Sequence, residues 1–78
     1  MITNEIIVKI GEAIASKIRC DRISKNLVAY KNNWNFYHFE KRGMEQILEI
    51  MGIDYEYEYD DNVEKEIAIK INGITIEI

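Results

Sequence analysis

The most distinctive chemical pattern in this chain is an alternation of acids and tyrosines, Asp54-Tyr55-Glu56-Tyr57-Glu58-Tyr59-Asp60. Side chains along a β-strand point to opposite faces in turn, so this spacing predicts a strand with its carboxylates on one face and its tyrosines on the other. A row of carboxylates binds cationic groups. The chemistry that this pattern indicates is electrostatic recognition.

The residues after this strand add further acids. A three-residue connection, Asp60-Asp61-Asn62, is predicted to pair Tyr59 with Val63, Tyr57 with Lys65 and Tyr55 with Ile67. Glu58 would then face Glu64, and Glu56 would face Glu66. Like charges directly opposite each other destabilise a sheet, by roughly 0.2 to 1 kcal/mol per pair, so a binding partner is the better explanation for them. The predicted partner-binding residues are Asp54, Glu56, Glu58, Asp60, Glu64 and Glu66.

The spacing of this row suggests the kind of partner. Successive carboxylates on one strand face lie about 6.7 Å apart, close to two phosphate steps of about 3.4 Å along a DNA strand. We interpret the row as a nucleic-acid mimic that binds, and inhibits, a larger nucleic-acid-handling protein with a basic surface. Phage anti-defence proteins such as anti-CRISPR inhibitors are of this type, although no motif links the chain to them.

Other reactive residues do not form a catalytic pattern. Cys20 and His38 are the only cysteine and histidine, Ser16 and Ser24 lack a nucleophile-elbow context, and the four glycines stand alone. Neither a disulfide nor a Cys/His zinc site can form within one chain. The sequence therefore predicts a protein that is not an enzyme and has no catalytic residues, metal or cofactor.

Composition is typical of one small folded domain over residues 1–78, with 47% hydrophobic and 31% charged residues. The net charge of −4 is unevenly divided, because residues 1–42 carry +4 and residues 43–78 carry −8. A lone thiol, the lack of a signal-like start and the absence of any long apolar run predict a cytoplasmic protein without a membrane span.

Two alternative functions remain open. Seven lysines and arginines between residues 17 and 42 are interleaved with five aromatic residues, as in proteins that bind single-stranded nucleic acid. The chain would then be a nucleic-acid-binding regulator. The uneven charge also fits a self-assembling structural subunit, or a homodimer that pairs its last strand with a second copy.

Two helices are predicted to support the acidic strand. Thr3 or Asn4 can cap the first, which runs for about four turns with an apolar stripe at Ile7, Ile10, Ile14 and Ile18. The second, of about ten residues, has its stripe at Met44, Ile47, Leu48 and Met51. Gly52 stands where a C-terminal cap belongs.

Residues 19–42 admit two interpretations. One places Ile23, Leu27, Tyr30, Trp34 and Tyr37 at helical spacing; the other forms strands from Leu27–Tyr30 and Trp34–Phe39 around a turn at residues 31–33. Asparagines among the aromatics favour the strands, because asparagine is a poor helix former.

The end of the chain predicts a hairpin with a defined register. Asn72-Gly73 forms a two-residue turn that pairs Ile71 with Ile74, Ile69 with Ile76 and Ile67 with Ile78. All six isoleucines then share one face, with Ala68, Lys70, Thr75 and Glu77 on the other. The predicted fold is α+β: two helices packed on a small antiparallel sheet with a C-terminal three-stranded meander.

Overall fold

The computed structural model describes residues 3–24 and 36–78 and contains two helices and one antiparallel sheet in these residues. The predicted α+β class is confirmed. In chain order the elements are α1 (Asn4–Ser24), α2 (Phe36–Ile50), β1 (Tyr55–Asp60), β2 (Lys65–Ile71) and β3 (Ile74–Glu77). The strands lie in the order β1-β2-β3, as a meander should.

Helix α1 begins where the capping residues predict. The Thr3 hydroxyl oxygen accepts a hydrogen bond from the Ile6 backbone N–H at 3.3 Å, which satisfies one of the free donors of the first turn. The helix is longer than expected, at 21 residues. Cys20 therefore lies within the helix, beyond the four turns that the sequence predicted.

Gly11 lies where α1 packs closely against β2 and β3. A Cβ atom at this position would lie 2.5 Å from Ile76 Cδ1 and 3.3 Å from Ile71 Cδ1. Gly11 is buried, and its missing side chain lets the helix approach the strands. This contact explains a residue that costs roughly 1 kcal/mol in the interior of a helix.

Helix α2 begins earlier than predicted, and the predicted strand Trp34–Phe39 is wrong over residues 36–39, which are helical. Contacts with α1 stabilise this turn: Lys17 Nζ lies 2.8 Å from Glu40 and 5.8 Å from the centroid of the Tyr37 ring. The asparagines that favoured strands all precede the helix. The other predicted strand, over residues 27–30, and its turn lie outside the described residues.

The C-terminus of α2 has the predicted glycine cap. Gly52 adopts a positive φ of 71°. Its N–H donates to the Glu49 carbonyl at 3.1 Å, and the N–H of Ile53 donates to the Leu48 carbonyl at 2.9 Å. This pair of bonds is a Schellman motif, and it turns the chain directly into β1.

The C-terminal hairpin has the predicted register. Ile71 pairs with Ile74 and Ile69 with Ile76 around the Asn72-Gly73 turn, and the Ile78 N–H donates to the Ile67 carbonyl at 2.9 Å. The inner face of the hairpin packs against the helices. The buried cluster consists of Ile7, Ile14, Ala15, Leu48, Ile69, Ile71 and Ile76.

Candidate interaction surface

The β1–β2 register differs from the one that the sequence predicted. Tyr55 lies opposite Ile71 and Tyr57 opposite Ile69, four positions further along β2 than expected. A shift by an even number of residues keeps Tyr55 and Tyr57 on their predicted face. These two tyrosines therefore still point towards the helices, whereas Tyr59 is 56% exposed. Glu56 and Glu58 have different neighbours across the strands from those predicted.

The turn between β1 and β2 explains part of this shift. The Asp60 carboxylate accepts a hydrogen bond from the Asn62 N–H at 2.8 Å, and Glu64 adopts a positive φ of 53°. The connection is thereby extended from three residues to the four between Asp60 and Lys65. Packing favours the rest of the shift, because the observed register pairs Tyr55 and Tyr57 with Ile71 and Ile69. Both of these isoleucines are fully buried.

A β-bulge then separates Glu66 from the acidic strand. Glu58 pairs with Ala68 but Tyr59 pairs with Glu66, which leaves Ile67 as an extra residue in β2. Beyond the bulge Glu66 meets α1, where Arg22 Nη2 lies 2.6 Å from its carbonyl oxygen and 3.6 Å from its carboxylate. Ile67 itself is 40% exposed and does not join the core.

The predicted pairs of opposing glutamates are therefore wrong. Glu56 faces Lys70, and Glu58 faces Ala68, which is buried. Of the predicted partner-binding residues, the structure places Asp54, Glu56 and Glu58 together on the outer side of β1. Asp60 continues this row at the end of β1, but it stands opposite Lys65 and its carboxylate accepts a hydrogen bond from the Asn62 N–H. Glu64 and Glu66 do not join the row, because Glu64 lies in the turn and Glu66 pairs with Arg22.

One acidic residue joins this surface that the sequence reasoning had not included in the site. Glu77 lies on the other side of Ala68 from Glu58, since Ala68 pairs with both residues. The sequence did contain the information needed to find it, because the predicted hairpin register placed Glu77 on the face of the sheet opposite the isoleucines. We define the acidic face as the four exposed residues Asp54, Glu56, Glu58 and Glu77.

The carboxylates of the acidic face have no ion pair with any lysine or arginine in residues 3–24 and 36–78 at a distance of 4 Å or less. Two basic residues of β2 interrupt this charge, because Lys70 stands directly opposite Glu56 and Lys65 stands opposite Asp60 at the end of β1. The face is therefore negative but not uniform.

A buried carboxylate fixes the inner side of β1 to α2. Glu45 is only 5% exposed, and it accepts a hydrogen bond from the Tyr57 hydroxyl. Its charge is balanced by Arg42 at 3.2 Å and by Lys41 at 3.9 Å. Burial, and then the bond to Glu45, raise the pKa of Tyr57 far above its usual value.

A second, more exposed set of contacts holds the start of β1. The Tyr55 hydroxyl donates to Glu49 at 2.7 Å, and Arg42 also lies 3.1 Å from Glu49. These two partners lower the pKa of Glu49, with the tyrosine contributing more. The hydrogen bond to Glu49 raises the pKa of Tyr55. Both tyrosines are thus held with their rings against the helix and their backbone along the sheet edge.

Basic residues of the two helices are largely neutralised within the molecule. Lys17 pairs with Glu40, Arg22 with Glu66, and Arg42 with Glu45 and Glu49. A cleft of about 220 Å³ lies between the helices, lined in part by Lys17, Arg22 and Lys41. Because the cations of this cleft already have anionic partners, a nucleic acid would have to displace them.

Other kinds of site find no support in the residues that the structure describes. They contain no cluster of three or more His, Cys, Asp or Glu side chains arranged to hold a metal ion. Neither α1 nor α2 has the length and apolar character that a membrane span requires. Comparisons with protein-family models, curated proteins and solved structures found no match.

Proposed function

We propose that this protein is a non-enzymatic interaction protein whose acidic face binds a basic surface of a larger protein. The observation that supports the proposal is the position of four carboxylates on the side of the sheet opposite the helices, none of which forms an ion pair with a lysine or arginine of residues 3–24 and 36–78. Elsewhere in the described residues several acids, including Glu40, Glu45, Glu49 and Glu66, have cationic partners. On the acidic face, carboxylates without such partners lie together on neighbouring strands.

Repulsion between opposing glutamates does not contribute to this role, because in the observed register Glu56 faces Lys70 and Glu58 faces Ala68. The features that support binding are the regular spacing of the carboxylates and their exposure to solvent. Asp54, Glu56 and Glu58 repeat at about 6.7 Å along β1, and Glu77 adds a charge two strands away. Such a surface would occupy a groove that a nucleic-acid-handling protein uses for phosphates, and inhibition would follow from competition for that groove.

A charge-reversal experiment tests this proposal against general electrostatic attraction. The test variant carries Glu56→Lys, Glu58→Lys and Glu77→Lys. The matched control carries Glu12→Lys, Asp61→Lys and Glu64→Lys, which change the net charge equally at exposed positions outside the acidic face. The probe is a deca-arginine peptide bound to a fluorescent DNA duplex.

We expect the wild type and the control variant to release the duplex from the peptide, and the test variant to fail. Amide chemical shifts in the wild type should change at residues of the acidic face when the peptide alone is added. Equal competition by both variants would show that the total charge is responsible, and the proposal would be wrong.

A further inference from the structure

The outer edge of β1 carries backbone groups that no described strand uses. β1 lies at one side of the sheet, with β2 as its neighbour. The Asn72 N–H donates to the Asp54 carbonyl at 2.9 Å, and hydrogen-bonded pairs alternate along an antiparallel ladder. Glu56 and Glu58 therefore direct their backbone groups to β2, while Tyr55 and Tyr57 direct theirs outwards.

The two faces beside this edge differ in charge. On the outer face stand the carboxylates of Asp54, Glu56 and Glu58. On the inner face the Arg42 guanidinium lies 3.4 Å from the Tyr55 hydroxyl, and Lys41 Nζ lies 5.3 Å from the Tyr57 ring centroid. A strand added here would meet anions with every second side chain and cations near the alternate ones.

We infer that the partner binds by adding an extended segment to the edge of β1, with basic residues at alternate positions and uncharged residues between them. This inference rests on the proposed function and names the form of its partner. Main-chain hydrogen bonds to Tyr55 and Tyr57 supply affinity, and the alternation of side chains supplies specificity.

The acids at this edge also exclude the wrong partner. A second copy pairing β1 with β1 would set its own carboxylates against those of the first, and like charges opposite each other are destabilising. Charged edge strands are a common protection against such self-pairing. A basic strand would be attracted to the same carboxylates. These residues therefore disfavour pairing with a second copy of this chain and favour binding of the basic partner.

Synthetic peptides can test strand addition separately from charge. The probe is the seven-residue peptide Lys-Val-Lys-Val-Lys-Val-Lys. In an antiparallel pair its valines lie opposite Tyr55 and Tyr57 and direct their N–H groups to β1, while its lysines direct theirs to solvent. One derivative is N-methylated at the three valines, and its matched control is N-methylated at three lysines, with equal charge and composition.

We expect the unmodified peptide and the lysine-methylated control to bind the full-length protein, and the valine-methylated peptide to bind at least tenfold more weakly by fluorescence anisotropy. Equal binding by the two methylated peptides would overturn strand addition but leave the acidic face as the binding surface. If none of the three binds more tightly to the wild type than to the Glu56→Lys/Glu58→Lys/Glu77→Lys variant, the proposed function fails as well.

Discussion

At the scale of single residues, Tyr57 joins β1 to α2 through a partly buried polar contact. Its hydroxyl is a hydrogen-bond donor to a carboxylate that is almost fully buried. Removing one partner of a buried charged group leaves that group less well compensated, and the cost exceeds the value of an ordinary hydrogen bond. The hydroxyl oxygen of Tyr57 is therefore expected to contribute measurably to the free energy of unfolding.

We predict that Tyr57→Phe lowers the free energy of unfolding by about 1 to 3 kcal/mol. Tyr55→Phe is the matched control. Its hydroxyl contacts an exposed carboxylate, so its loss should cost less than about 1 kcal/mol. Urea denaturation of the three proteins at pH 8 measures both values, and equal costs would contradict the role given to Glu45.

The same residue predicts a pH dependence. The pKa of Tyr57 is raised in the folded protein, so the folded state holds its proton more tightly than the unfolded chain. The stabilisation is complete below the ordinary tyrosine pKa of about 10 and is lost as the pH rises above it towards the folded pKa. Between pH 9 and pH 11 the wild type should lose more stability than Tyr57→Phe.

At the scale of elements, the β1–β2 register decides which charges meet. The bulge at Ile67 directs Glu66 towards α1, whereas Glu58 keeps an uncharged neighbour in Ala68. Two glutamates that look alike in sequence therefore differ in role. One links the sheet to a helix, and the other is free on the acidic face.

We predict that Glu66→Lys lowers the free energy of unfolding by about 0.5 to 1 kcal/mol, because it replaces an ion pair with repulsion from Arg22. Glu58→Lys should change it by less than about 0.5 kcal/mol. In the register expected from the sequence both residues faced a glutamate, so both reversals would have been stabilising. Thermal or urea denaturation of the two variants distinguishes these registers.

At the scale of the whole molecule, the two surfaces differ in polarity as well as charge. The sheet exposes the acidic face, while α2 exposes several large apolar side chains on the side away from the core. Those exposed by more than half are Phe39, Ile47 and Ile50. Leu48 of the same helix is fully buried. The helix is thus apolar on two sides, and only one of them stabilises the fold.

We predict that Ile47→Gln combined with Ile50→Gln changes the free energy of unfolding by less than about 0.5 kcal/mol. Leu48→Ala, on the inner side, should cost about 2 to 5 kcal/mol. Denaturation curves measure both, and sedimentation at several protein concentrations provides a control. A large loss in the double glutamine variant would show that the outer side of α2 is covered in solution.

The sequence by itself determined the features that depend on local patterns. Period-two alternation placed Tyr55 and Tyr57 against the helices, the Asn72-Gly73 turn set the β2–β3 register, and Gly52 ended α2. Each of these follows from the geometry of one strand, turn or helix end. The acidic row from Asp54 to Glu58 was predicted for the same reason.

Only the tertiary structure decided how these elements meet. Contacts between Lys17, Glu40 and Tyr37 accompany the helical start of α2, although local composition favoured a strand. Burial of Ile69 and Ile71 favours the observed β1–β2 register. The bulge places Glu66 where it forms an ion pair with Arg22. Such outcomes depend on packing between residues far apart in sequence, and local periodicity carries no information about which of several even-numbered shifts gives the best core.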